Sequence, residues 1–370
     1  MLAGIITIFL SLVSGCKEKY EPPEVLVDNK FLVVDGFINS GGDQSILKLS
    51  RTRTLADKNL ISPELNAQIS VEEEGGGIIG FFQDQGNGQY GIPPLSLNAQ
   101  KKYRINIHTS SGGDYQSDFV PVKYTPPIDS ISWGLDPTGL TVYANTHDPQ
   151  NNTRYYRYEY EETWEHHSEY EPYLQYLNGQ VVFIDPLQAP FKCWTSNSST
   201  DILLASTAKL QDDILYHYPL TFIPMNTERI SVKYSILVKQ YALTDEAFLY
   251  WTSLRKNTEQ LGTLFDPQPS QLTGNIHSVS NPAEVVLGFI TASSVQQSRI
   301  YISNDEVAPW KLPRNCIQLD IPSDSIAIYF GMWGYAPVAS NGLFRFYAAE
   351  KKCLDCRLQG GTTTKPSFWP

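Results

Sequence analysis

Apolar and polar residues alternate with a period of two over much of the chain. Residues 31–37 form an apolar, β-branched run closed by Gly41-Gly42, and residues 45–50 alternate cleanly, so both predict strands. Residues 67–71 lead into the charged turn Glu72-Glu73-Glu74-Gly75-Gly76-Gly77, and residues 78–82 follow it. A second turn, Asp84-Gln85-Gly86-Asn87-Gly88, precedes Tyr90. Residues 102–109 place Tyr103, Ile105 and Ile107 on one face. Ser110-Ser111-Gly112-Gly113-Asp114 then turns the chain, and residues 115–120 pair back. Short strands separated by such turns predict a β-sandwich.

Pro126-Pro127 marks a boundary, so the expected domains are 24–126 and 127–370. In the second, residues 128–133 and 140–144 read as strands. So does 155–164, with Tyr156, Tyr158 and Tyr160 on one face and Tyr155, Arg157 and Glu159 on the other. Residues 230–238 keep period two longest, and 285–290 and 298–302 are later strands. One helix is predicted near 244–259. Thr244 is its N-cap, Asp245 and Glu246 suit its positive end, and no Gly or Pro interrupts it. Phe248, Trp251 and Leu254 fall at threefold spacing for docking on a sheet, and residues 264–269, with Pro267 and Pro269, end the run. The expected fold is therefore mainly β. Its N-terminal part resembles the carboxypeptidase-regulatory or collagen-binding-B (CnaB-like, Ig-like) β-sandwich. The larger β-rich part resembles a fibronectin-type domain, with one docked α-helix.

Composition narrows the function. Charged residues are 18% of the chain, below the roughly 25% of an average soluble domain, and Tyr numbers 22. The net charge of −11 gives no general attraction for phosphate backbones, so no nucleic-acid partner is expected. The N-terminus locates the protein. Residues 2–13 are an apolar run too short to span a bilayer, which needs about 20 residues, and fit the apolar core of a signal peptide. No Lys or Arg precedes the run, a departure from the usual leader. Val13-Ser14-Gly15-Cys16 resembles a bacterial lipobox, which implies cleavage after residue 15 and acylation of Cys16. Two or three acyl chains anchor stably where one would not. Residues 16–23, with Glu18, Glu21 and Pro22-Pro23, read as a tether from lipid to the first domain.

The remaining cysteines are Cys193, Cys316, Cys353 and Cys356. In an exported chain these four thiols indicate two disulfides, with three pairings open. Cys353-Leu354-Asp355-Cys356 lacks the further ligands of a zinc site and the helix-opening context of a redox motif. No metal and no cofactor are expected. There is no G-x-S-x-G elbow and no H-E-x-x-H. His166-His167 are adjacent, so on a strand they point to opposite faces and share no metal. Glu161, Glu162, Glu165, Glu169 and Glu171 supply the carboxylates of a conceivable glycosidase pair, but a charge run is usually a solvated face. No catalytic residue is assigned. The aromatic segment Tyr155, Tyr156, Tyr158, Tyr160, Trp164, Tyr170, Tyr173 and Tyr176 is the candidate contact surface for a partner or ligand. Asp129-Ser130-Ile131 and Asp324-Ser325-Ile326 fit a short O-glycosylation pattern.

An ordered series of stretches resembles one family, the Bacteroidota lipoproteins grouped as domain of unknown function 4249. The series runs through 31–36, 103–117, 128–131, 235–243, 264–269, 274–276, 281–282 and 287–289 to a distinctive tail, 353–357 and 360–369. The resemblance implies an exported lipoprotein with no established activity. It also implies the company of a TonB-dependent, SusC-like outer-membrane barrel. The expectation is a non-enzymatic, lipid-anchored outer-membrane protein facing the cell surface, acting as the accessory partner of such a barrel. The alternatives are an independent surface binder of a glycan, peptide or metal chelate, and a structural subunit of an outer-membrane assembly or secretion complex.

Overall fold

The computed structural model describes residues 30–53, 62–259, 272–307, 310–313, 315–342 and 344–370. The expected leader (1–15), the acylation site Cys16, the tether (16–23) and the stretch 264–269 lie outside the described residues. The protein is mainly β, with one long helix among the described residues.

The N-terminal body is one sheet curled around a single core. Its alternating strands point Leu32 and Val34, Leu47 and Leu49, Ile69 and Val71 inward, and Tyr103, Ile105 and Ile107 join them as predicted. The chain completes this sheet late. Ile276–Ser278 pairs antiparallel with Asp114–Ser117, Val286–Leu287 runs parallel to Leu32–Gly36, and Ala292–Ser293 runs parallel to both Ile38–Asn39 and Val120–Lys123. Parallel partners need a long crossover, and here the crossover is an entire second body. A division at 126/127 therefore splits a sheet whose core also contains Ile276, Val286, Ile290 and Ala292. The strand expected over 285–290 forms ladder only at Val286–Leu287. Gly288 ends it: at φ +138° its backbone lies so close to Val34 that a Cβ would sit 2.2 Å from that carbonyl oxygen.

The second body is a two-sheet sandwich. Ile128–Asp136, Gly139–His147 and Ile214–Pro224 form one layer. The other layer is Lys192–Ser198, Tyr155–His167, Lys233–Ala242 and Val295–Ser303, with Leu203–Ser206 beside the long central strand. The run expected as a strand from 230 begins at Lys233, because Glu228–Ile230 is a single 3-10 turn that buries Ile230. The predicted helix is Asp245–Glu259. Thr244 caps it, its Oγ1 accepting the Ala247 N–H at 3.2 Å. Phe248 packs on Tyr155 at 4.7 Å between ring centroids, and Tyr250 meets Phe289 of the returning segment at 5.2 Å, so the helix wedges between the two bodies.

A third, smaller unit does not follow from the periodicity. The hairpin Leu174–Leu177 and Gln180–Phe183, inserted between two sandwich strands, meets a sheet of Leu319–Pro322, Arg345–Glu350 and Tyr335–Ser340. The short helix Ile326–Gly331 completes it, around Ile321, Phe330 and Ala348. The disulfides are Cys193–Cys356 and Cys316–Cys353. The first ties this unit to the sandwich, and the second closes it internally.

Candidate functional site

The eight aromatic residues proposed as one contact surface fall into two places. Tyr156 and Tyr158 are fully buried between the sandwich layers and cannot touch a partner. Their hydroxyls donate to Asp213 Oδ2 and Gln240 Oε1, each at 2.8 Å, and burial pushes both phenols far above the usual tyrosine range. Tyr160 is half-buried and donates to Thr221 Oγ1 at 3.1 Å, and Trp164 lies beneath the Arg229 guanidinium. Tyr155, on the outer face, is covered by Phe248. The physical reason is that the strand is central in its sheet, so period two sends one face to the core and leaves the other to the helix. Tyr170, Tyr173 and Tyr176 belong to the third unit. Tyr170 donates to the Cys316 carbonyl at 2.7 Å, Tyr173 is exposed, and Tyr176 packs on Phe330 at 5.8 Å.

The other titratable candidates hold the fold together. His166 is buried beside Glu228, with Thr195 Oγ1 3.0 Å from its Nε2, whereas His167 turns outward to Glu165 at 2.9 Å. Buried Glu162 accepts from Tyr234 Oη at 2.9 Å and Arg229 at 3.3 Å. Glu161 pairs with Lys239, Glu169 accepts the backbone N–H groups of Asn315 and Cys316, and Glu171 accepts from Tyr173. All four remaining cysteines are in disulfides and offer no thiolate to a metal.

What distinguishes the third unit is its surface. Among the described large apolar side chains more than 70% exposed, Phe183, Leu187, Ile317, Met332 and Phe344 lie here, and only Tyr216 lies elsewhere. Trp333 adds to them at 60% exposed. The same unit holds a cleft of about 400 Å³ between the hairpin, the strand Tyr335–Ser340 and the turns after Cys353. Tyr176, Phe330 and Tyr335 contribute rings to its lining beside Pro172, Pro190 and Pro337, and its charged lining residues are Lys351, Asp355 and Arg357. Asp355 takes the Arg357 Nε and Nη2 at 2.9 and 2.7 Å, which raises the guanidinium further above its ordinary value.

Sequence reasoning missed Phe330, Met332, Trp333, Tyr335, Lys351 and Arg357. The signal was present in residues 326–333, an apolar run without a charge that a plain surface loop does not explain. Among the described residues no helix is long and apolar enough to cross a membrane. A family model described as Domain of unknown function (DUF4249) matches residues 17–299. No curated protein matches the chain.

Proposed function

We propose, on the premise that this chain belongs to the DUF4249 family, that it is a non-enzymatic lipoprotein, acylated at Cys16. In this reading it sits on the outer face of the outer membrane as the accessory partner of a TonB-dependent β-barrel. One observation carries the partner reading: the strongly exposed apolar side chains gather on one disulfide-closed unit. A concentration of exposed apolar side chains on one unit suits an association surface, and aromatic residues and Met are enriched at interface cores. The absence of an enzymatic role is supported by the carboxylates, each held by a structural partner. The contact surface moves accordingly, from the tyrosines of the long strand to Phe183, Leu187, Met332, Trp333 and Phe344.

The test is affinity purification of the full chain from native membranes in a mild non-ionic detergent, with mass spectrometry of what accompanies it. A large β-barrel protein is expected in stoichiometric amount. Phe183→Asp combined with Leu187→Asp, both at exposed positions, lowers its recovery at least tenfold. Phe81→Asp, exposed on the N-terminal body, leaves recovery unchanged. Recovery of a lone monomer from the unaltered protein refutes the partnership. Unchanged processing and membrane attachment after Cys16→Ser refute the anchor.

A further inference from the structure

The cleft of the third unit is lined by none of Phe183, Leu187, Met332, Trp333 and Phe344, and its lining has a chemistry of its own. We propose that it binds a small molecule that combines a flat apolar ring with one carboxylate. Three features select this class. The lining is rich in rings: Tyr176, Phe330 and Tyr335 share it with Pro172, Pro190 and Pro337, which suits a flat apolar ring. The charged lining is cationic on balance, with Lys351 and Arg357 against the single Asp355, in a protein whose net charge is −11. Two of the Arg357 nitrogens hold Asp355, which fixes the guanidinium plane and leaves its other nitrogen and the Lys351 ammonium for an anion. The size, about 400 Å³, lies in the range of small-molecule sites.

The cleft is also preformed. Tyr176 is locked against Phe330. The wall carrying Arg357 is pinned by the Cys193–Cys356 disulfide and by the Cys356 N–H, which donates to the Pro190 carbonyl at 3.0 Å. A site held in its bound shape loses little ordering entropy on binding. The flanking Leu358, 59% exposed, extends the apolar wall to the mouth. None of this depends on a barrel partner, so the two readings stand or fall separately.

Titration calorimetry of the full chain in non-ionic detergent with 2-naphthoate and its neutral analogue 2-naphthamide tests the proposal. The acid is expected to bind at least tenfold more tightly than the amide at neutral pH. Lys351→Gln with Arg357→Gln abolishes that preference while leaving amide binding intact. Leu358→Glu, at an exposed position where folding is not at stake, removes an apolar contact from both ligands and weakens the acid about fivefold more than the amide by like-charge repulsion. Lys48→Gln, exposed on the N-terminal body, changes neither. Equal binding of acid and amide overturns the proposal. So does failure of both to bind up to about 1 mM, or an acid preference that survives Lys351→Gln, Arg357→Gln and Leu358→Glu.

Discussion

Asp129 and His147 face each other on neighbouring strands of the thinner sandwich layer, with a carboxylate oxygen 2.8 Å from Nδ1. The hydrogen bond to Asp129, and then its charge, raise the histidine above its ordinary value. A group whose folded value exceeds its unfolded one stabilises fully below the unfolded value, and that gain disappears as pH rises through the raised one. Both side chains are substantially exposed, so the gain is small. Asp129→Asn is expected to bring the His147 titration midpoint, followed by NMR, back toward the ordinary histidine value, and to flatten stability across the window from mildly acidic to neutral pH. An unchanged midpoint would show that the pair does not persist in solution. Individual residues were legible where only local alternation decided them. Tyr103, Ile105 and Ile107 are core because their neighbours point away. Tyr155 shows the limit: its face and the helix were both readable, but not that the helix covers this residue, since that depends on a contact with Phe248 nearly a hundred positions on.

The last stretch of chain acts as a strap across the outer face of the sandwich. Trp194 and Thr362 exchange backbone hydrogen bonds at 2.8 and 3.0 Å. Phe368 lies against the Arg299 guanidinium at 3.8 Å, and the Trp369 indole N–H donates to Glu165 at 3.2 Å. The strap enters at Gly361, where an added Cβ would stand 2.5 Å from the Cys193 Cβ and 2.6 Å from His166 Nε2. Both neighbours are fully buried and have no room to move aside. Gly361→Ala is therefore expected to cost about 1–3 kcal/mol in chemical denaturation, as overpacking does, and to speed exchange of the Thr362 amide. A stability within experimental error of the unaltered protein would mean that the strap is loose in solution. The helix and the long strands were legible because their signals are local: a cap, an uninterrupted run, a sustained period. The strap was visible only as a resemblance, and the returning strands Ile276–Ser278 and Ala292–Ser293 were invisible, because two or three residues carry no period and their partners are far away in sequence.

The three parts of the chain depend on one another unequally. The N-terminal body has a broad core of its own, whereas the third unit rests on a small cluster around Ile321, Phe330 and Ala348. Cores of that size rarely sustain a fold, and exported proteins compensate with cross-links. Here the cross-links span 163 and 37 residues. In the chain-entropy account such closures contribute about 5 and about 4 kcal/mol respectively. Of the four cross-linked cysteines, Cys193, Cys353 and Cys356 are buried and Cys316 is only partly so, so a reductant should reach Cys316–Cys353 well before Cys193–Cys356. Peptide mapping without reduction is expected to recover Cys193–Cys356 and Cys316–Cys353, one of the three possible pairings. The decisive comparison is Cys316→Ser with Cys353→Ser. Hydrogen exchange in the hairpin Leu174–Leu177 and in Arg345–Glu350 should rise steeply in this variant, while Lys102–His108 in the N-terminal body keeps its protection. That pattern would make the third unit a dependent appendage whose apolar surface and cleft exist only while the cross-links hold. Uniform loss across all three parts would instead mean that the protein unfolds as one, and that the surface and the cleft share the stability of the whole.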